Sequence, residues 1–392
     1  MASLRTAVIG ASTVALLATS AVSARAGTTT SVSDSLAAAT TAGVCSPYAV
    51  MKSMTNEQRV GQIFMVGTPA TKADPTLLEQ ITRYHVGNII LTGRSTGGTA
   101  APSAVTAAAR ARVSAASTAN TPLFVATDQE GGYVQVLQGV GFSKMPTALT
   151  QGTWSDAGLQ HAGTTWGSQL RRVGVNLNLA PVAGTTPNAQ WARNNPPIGV
   201  FQREYGYTSY ITAAKSADIV RGMAAAGVGT TSKHFPGMGL VNANTDTSYG
   251  VYDRITTTAS PYLNPFRADI KAGVTAVMMS SAIYLKIDPT TLAVFSPKIV
   301  NLVRSTGFRG PIMTDDMGNA VQPGQWTVPH RAINSLEAGV DMILTVNPSV
   351  VPTMYDTILH LVETSSYWQA RVNSAAWWVL MGKADRHLLP NC

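Results

Sequence analysis

The sequence predicts an α/β chain folded as a single closed (β/α)8 barrel, a TIM barrel, and three observations carry that prediction. From residue 45 onward, short apolar runs alternate with longer stretches of helical period, eight times over about 300 residues. The runs are apolar throughout rather than alternating, as strands of a parallel sheet covered on both faces must be. Several helical stretches end in glycine just ahead of the next run, where a helix is expected to stop. An open doubly wound sheet is the alternative architecture, and eight β-then-α units favour closure.

The strands are read in order as QIFMVGT (62–68), VGNIILTG (86–93), LFVATD (123–128) and VNLNLAPV (175–182). The second half repeats the rhythm with VGTTSKHF (228–235), VTAVMMSS (274–281), PIMTDD (311–316) and VDMILTV (340–346). Between them lie helices such as PTLLEQITRYH, ITAAKSADIVRGMAAAG, PFRADIKAG, SPKIVNLVRSTG and HRAINSLEAG. The stretch SAAWWVLMGKADRHL reads as a closing helix.

The ends of the chain are of a different kind. Residues 1–26 contain Arg5, a short apolar run and a small-residue finish at Ala24, Arg25 and Ala26, the layout of a secretory leader. Its apolar part is too short to span a bilayer stably. Residues 27–44 are rich in Thr, Ser and Ala and read as a linker, which leaves 45–392 as the barrel domain. A secreted, extracellular or wall-associated protein is expected.

Of 392 residues, 45% are hydrophobic and only 12% charged, so a large core is available and each loop carboxylate is informative. Removing the leader lowers the net charge from +8 to +6. The cations are scattered, which excludes a nucleic-acid footprint and leaves a solvated surface with some attraction to anionic wall polymers. The two cysteines, Cys45 and Cys392, sit at the two ends of the domain, and in an oxidising compartment such a pair is expected to form a disulfide. No metal-ligand spacing, Walker loop or dinucleotide fingerprint is present, so neither metal nor cofactor is expected.

In a (β/α)8 barrel the site lies at the carboxyl ends of the strands. Those ends carry Asp128 and Glu130 in TDQEGG, Lys233 and His234 in KHFPGMG, Asp246 further along that loop, and Asp315 and Asp316 in MTDDMGN. Arg203 lies on the long loop after the fourth strand. Carboxylates facing each other across a pocket suit glycoside hydrolysis, one attacking the anomeric carbon while another group protonates the leaving oxygen. By spacing alone, Asp315 or Asp316 reads equally well as a helix cap, and Asp128 as a carboxylate satisfying loop amides. Likewise His234 could be a hydrogen-bonded structural residue, as His85, His161, His330, His360 and His387 are taken to be. GRSTG (93–97) matches a serine-nucleophile elbow, but such an elbow needs a helix at once, and GTAAPS is read as loop.

These residues carry a resemblance. MTNEQRVGQIFMVG, ATDQEGGYVQ, GVNLNLAPVA, KHFPGMG, AVMMSSAIY and GFRGPIMTDDM run in the order found in the single-domain β-N-acetylglucosaminidases of glycoside hydrolase family 3. The resemblance implies a retaining mechanism with Asp315 as nucleophile. It implies sugar hydroxyls held by Asp128, Lys233 and His234, and matches Arg203 in REYG to a family arginine. The sequence also departs from the pattern. Met238 stands in KHFPGMG where a His is usual, and Asp246-Thr247-Ser248 stands for the family's Asp-Ser-His, in a loop two residues longer. Ser248 therefore replaces the proton-donating His of the family's acid/base dyad, and a seryl hydroxyl has no pKa near neutrality. Tyr133 and Val136 replace two arginines of the usual GGRVQR.

The expected function is release of non-reducing terminal β-linked N-acetylglucosamine from chitin oligosaccharides or peptidoglycan fragments. Asp315 attacks, and Asp246 acts as proton donor or supports another. A carbohydrate substrate, a monomer, and no nucleic-acid or membrane partner after leader removal are expected. A non-catalytic sugar-binding barrel that lost its dyad is the rival reading, with a β-glucosidase-like member as a variant within the enzyme class.

Overall fold

Eight parallel strands close into a barrel in the computed structural model, which describes residues 43–392. The strands are β1 (Phe64–Pro69), β2 (Asn88–Thr92), β3 (Phe124–Thr127), β4 (Leu177–Asn178), β5 (Gly229–Phe235), β6 (Ala276–Met279), β7 (Ile312–Asp316) and β8 (Met342–Thr345). Each pairs with its neighbour in chain order, and β1 pairs with β8 through Phe64–Ile343, Met65–Leu344 and Val66–Thr345. Seven fall inside the apolar runs read from the sequence, and β1 overruns its run by one residue, Pro69. Residues 1–26, read above as a leader, and residues 27–42, read as linker, lie outside the described residues, whereas Gly43 and Val44 pair with the carboxyl terminus.

Strand side chains alternate between the two faces, and both faces are apolar here. Met65, Ile90, Phe124, Leu177, Met278, Met313 and Met342 fill the barrel interior, four of them unbranched methionines that adapt to the space left. Phe64, Val66, Ile89, Val125, Val277 and Ile343 face outward into the layer beneath the helices. Double burial is why the strands read as continuous apolar runs.

The amino-terminal pole of the barrel is plugged by the last helix, Ser366–Ala384, and the tail after it. Lys383 is fully buried there and donates to Gln62 Oε1 at 2.8 Å and to the Gly87 carbonyl at 3.0 Å, both just ahead of strands. With no carboxylate among those contacts, burial pushes its pKa far below the usual lysine value. Cys45 and Cys392 are joined by a disulfide, flanked by hydrogen bonds from Cys45 N to Pro390 O (2.9 Å) and Cys392 N to Gly43 O (3.0 Å).

One expectation needs correction. The segment after GRSTG is not loop, because a helix runs Ala100–Arg110. Pro102 sits in its first turn, where the missing N–H has no intrahelical partner to lose. Ser95 still lies outside any elbow: it is buried, and its backbone pairs with Val136 and Gln138, well ahead of the helix start.

Candidate active site

Two strand ends deliver the central groups, and both are irregular. The pairing of β5 with β6 shifts register between Ser232 and Phe235, and that of β7 with β8 shifts between Met313 and Asp316. Such shifts re-aim side chains at the end of a ladder. They bring Lys233 and Asp315 to a cavity of about 330 Å³ at the carboxyl-terminal mouth, which Asp128 and Asp246 also line. Its floor is apolar, made by Ile90, Leu179, Met278 and Leu344, contributed by alternate strands at or next to β2, β4, β6 and β8.

Lys233 is the hub. Its Nζ lies 2.6 Å from Asp128 Oδ1 and 2.7 Å from Glu130 Oε1. Arg203 grips Glu130 from the other side, with Nε to Oε2 and Nη2 to Oε1 both at 2.8 Å, while Nη1 donates to the Pro197 carbonyl at 2.7 Å. Burial alone would raise the Glu130 pKa, but Arg203 and Lys233 outweigh it and hold the carboxylate down at about 2. Burial likewise opposes the charge on Lys233, and Asp128 and Glu130 restore it. Arg203 thus acts on the cavity through Glu130 rather than by lining it. The sequence marked Glu130 as polar at the strand end without giving it this bridging part.

Asp315 accepts from the Asp316 amide through Oδ1 at 2.9 Å, and its Oδ2 lies 3.8 Å from His234 Nε2. Burial, then the charge of Asp246, raises its pKa to about 7. Asp316 has a different job. Its oxygens accept from the amides of Gly318 (2.9 Å), Val346 (2.9 Å) and Asn319 (2.8 Å), so it shapes the turn that presents Asp315. His234 is buried, and burial followed by the charges of Arg203 and Lys233 keeps its imidazole neutral.

Asp246 reaches the cavity from the long loop after β5. That loop is tied to the one after β7 by hydrogen bonds from Val321 N to Asp246 O (3.2 Å) and Gln322 N to Thr245 O (2.9 Å). The segment carrying Asp246 is therefore fixed relative to the strand carrying Asp315. Asp246 is open to solvent on its outer side, but the cavity walls around its carboxylate desolvate it and raise its pKa. Arg203 opposes that rise and Asp316 adds to it. Ser248 is half-buried and does not line the cavity. Met238 is buried in the hydrophobic core and does not line the cavity, and its backbone carbonyl accepts from Asn195 at 3.0 Å.

The two former arginine positions have separate fates. Val136 is buried and its amide donates to the Asp128 carbonyl at 3.1 Å, whereas Tyr133 is exposed and packs edge-on against Phe201. The structure thus gathers Asp128, Lys233, Asp246 and Asp315 around one cavity, with His234 against Asp315 and Arg203 behind Glu130. Cys45 and Cys392 lie far from this mouth, at the plugged pole. Burial raises the pKa of both Asp246 and Asp315, and the charge of Asp246 adds to the rise at Asp315.

Comparisons with known proteins agree with this geometry. The model of the glycosyl hydrolase family 3 N-terminal domain matches residues 55–381. A β-hexosaminidase of Stenotrophomonas maltophilia is 31% identical over 331 residues, covering 82% of this chain and 91% of that protein. One from Xylella fastidiosa is 35% identical over 244 residues, covering 59% of this chain and 69% of its own. Among solved structures, a β-N-acetylhexosaminidase from Beutenbergia cavernae is 46% identical, with a TM-score of 0.83 over 84% of this chain and 99% of that one. A family 3 β-N-acetylglucosaminidase from a Paenibacillus species is 30% identical, with a TM-score of 0.77 over 86% of this chain and 63% of that one.

Proposed function

The chain belongs to glycosyl hydrolase family 3, and from that premise we propose that it releases non-reducing terminal β-linked N-acetylglucosamine with retention of configuration. It is a glycoside hydrolase acting on carbohydrate. The natural material in this reading is chitin oligosaccharide or peptidoglycan fragment. The observation that carries it is the single small cavity in which Asp315 and Asp246 meet over the Lys233–Asp128 pair.

Asp128 and Lys233 hold hydroxyls of the terminal sugar, and His234, neutral, borders Asp315. Ionised Asp315 attacks the anomeric carbon; the bond from that carbon to the leaving oxygen breaks, and the proton on Asp246 passes to that oxygen. Water then attacks the glycosyl-enzyme, its proton returns to Asp246, and Asp315 is released. Because desolvation raises the Asp246 pKa, the side chain can hold a proton where an ordinary aspartate would not. Asp246 is assigned the acid/base role because it lines the cavity and Ser248 does not. The serine thus replaces the family histidine in sequence, and the carboxylate replaces it in chemistry.

The leader in residues 1–26 and the disulfide support export, and the enzyme is proposed to act outside the cell as a monomer. The test of the reaction is hydrolysis of an aryl β-N-acetylglucosaminide, with Asp315→Asn as the blank. A slow fluorinated glycosyl donor should add one sugar mass to the peptide GPIMTDDMGNAVQPGQW. Label on another peptide, or full activity of Asp315→Asn, would overturn the assignment.

A further inference from the structure

Two successive helices of the outer ring, Asn264–Lys271 and Pro297–Arg304, do not close on each other. The first packs tightly on Ser209–Ala225 at its other side and barely touches the second. Its buried Asp269 accepts from the hydroxyls of Ser216 and Ser232, both at 2.6 Å, which pins it to that other helix and to β5. The space left is a cavity of about 570 Å³ that shares no lining residue with the catalytic one.

Polarity in this cavity rises from floor to rim. Leu263, Phe266, Arg267, Ile270 and Lys271 recur at the spacing of a single helix face, and that face lines the gap. Phe235, the last residue of β5, closes the inner end with its ring edge-on to that of Phe266 at 5.1 Å, and Leu302 comes from the second helix. Phe235, Leu263 and Phe266 are buried, Ile270 and Leu302 half-buried, and Arg267 and Lys271 exposed. No acidic residue lines the cavity. Arg267 Nη1 has a neutral partner, Asn264 Oδ1 at 3.0 Å, and among the described residues no carboxylate forms an ion pair with Arg267 or Lys271. Long cationic side chains often cover apolar surface with their stems. Here a space remains behind them, of a volume typical of small-molecule sites and with apolar walls and few polar groups.

That gradient selects a ligand with an apolar tail and one anionic head. An arginine fork takes a carboxylate through two parallel bonds, and a lysine one helical turn away adds a point charge. The rings of Phe235 and Phe266 stand edge to face and offer no parallel slot for a flat ligand, whereas a flexible chain fits against both. We propose that this cavity binds an unbranched aliphatic carboxylate, with the chain running inward to Phe235 and the head group held at the rim by Arg267 and Lys271. The site uses none of the sugar-cleaving groups, so it stands or falls independently of the glycosidase reading.

The test is calorimetric titration of the full chain at about pH 8, where every probe carries its full charge. The probes are decanoate, decyltrimethylammonium and acetate, the two amphiphiles kept below their micelle concentrations. Decanoate should bind at one site per chain, about tenfold or more tighter than decyltrimethylammonium, which has the chain without the negative head. Acetate, which has the head without the chain, should bind too weakly to measure. Arg267→Gln with Lys271→Gln should weaken decanoate about tenfold or more, and Arg267→Glu with Lys271→Glu should make decyltrimethylammonium the better ligand. Both pairs change exposed side chains, so melting temperature and aryl-glycoside hydrolysis should stay at wild-type values. Leu302→Trp, which fills the cavity without altering its charge, should weaken decanoate as well. A preference for neither decyl compound, wild-type decanoate affinity in the glutamate pair or in Leu302→Trp, or uptake of several decanoate molecules per chain would overturn the proposal.

Discussion

Replacing Asp246 by asparagine removes a proton donor and a negative charge in one nearly isosteric step, and each loss has its own signature. A positioned general acid contributes about 10²–10⁴-fold, so chitobiose hydrolysis should fall by that factor, about 3–5 kcal/mol of barrier. A nitrophenyl leaving group needs no proton, so the glycosyl-enzyme should still form quickly from the activated substrate and then accumulate, visible as a burst. The charge acts on Asp315, whose pKa stands at about 7 through burial and then through Asp246. Asp315 attacks only when ionised, so activity on the aryl substrate falls as pH drops through its pKa. Without Asp246 that pKa is lower, and the acid limb of kcat/KM should move to lower pH. The assay is a pH profile of kcat/KM on the aryl glycoside for wild type and variant, with the burst amplitude and chitobiose rates measured beside it. Ser248→Ala, altering a side chain outside the cavity, should leave chitobiose hydrolysis essentially unchanged. Wild-type chitobiose activity in Asp246→Asn, or an acid limb that stays put or moves up, would refute the reasoning.

Three further outcomes follow from buried charge and from the closed chain. Glu130, held at about 2 against an ordinary 4.5, contributes stability that is full above pH 4.5 and is lost as pH falls through about 2, on the order of 3 kcal/mol. Urea midpoints at pH 7 and pH 3 should show about 2 kcal/mol of it, and Arg203→Ala, which strands the buried Glu130 beside Lys233 alone, should cost about 3–5 kcal/mol at neutral pH. Lys383, whose folded pKa is depressed, contributes stability that is complete above its unfolded pKa and is lost as pH falls. Between pH 8 and 10 wild type should therefore gain stability relative to Lys383→Met, by no more than about 1.4 kcal/mol per pH unit. Removing both Cys45 and Cys392 should lower stability by about 6 kcal/mol on the loop-entropy account while leaving kcat/KM intact, read by denaturation and by aryl-glycoside turnover.

The barrel was legible because burial on both faces writes each strand as an unbroken apolar run, and all eight appear that way. The helix Ala100–Arg110 was not, because Gly97, Gly98 and Pro102 look like loop chemistry until Pro102 is seen to occupy a first turn. Residues at strand ends were legible for the same reason the strands were: Asp128, Lys233 and Asp315 close apolar runs, and the cavity forms where those runs end. The part played by Glu130 was hidden, since its two cationic partners, Arg203 on a loop and Lys233 on a strand, lie more than 70 residues away in sequence and meet it only when the barrel closes. The choice between Asp246 and Ser248 could not be made from spacing either. It depends on how the loop is pinned by Val321 and Gln322, contacts that no local pattern announces.

The seam between Gly43–Cys45 and Pro390–Cys392 makes the described domain a ring in all but one peptide bond. The Cys45 and Cys392 Cα atoms stand 5.0 Å apart, at the pole opposite the cavity that holds Asp315. A ring of this kind has no privileged starting point. Joining residue 392 to residue 43 through a short spacer and cutting at an exposed turn elsewhere, such as Ser305–Thr306, should return the same barrel with new ends. The seam also sets orientation. Whatever holds the described domain by residue 43 or residue 392, a surface or a fused partner, grips the pole away from the mouth, and the cavity with Asp315 then faces outward.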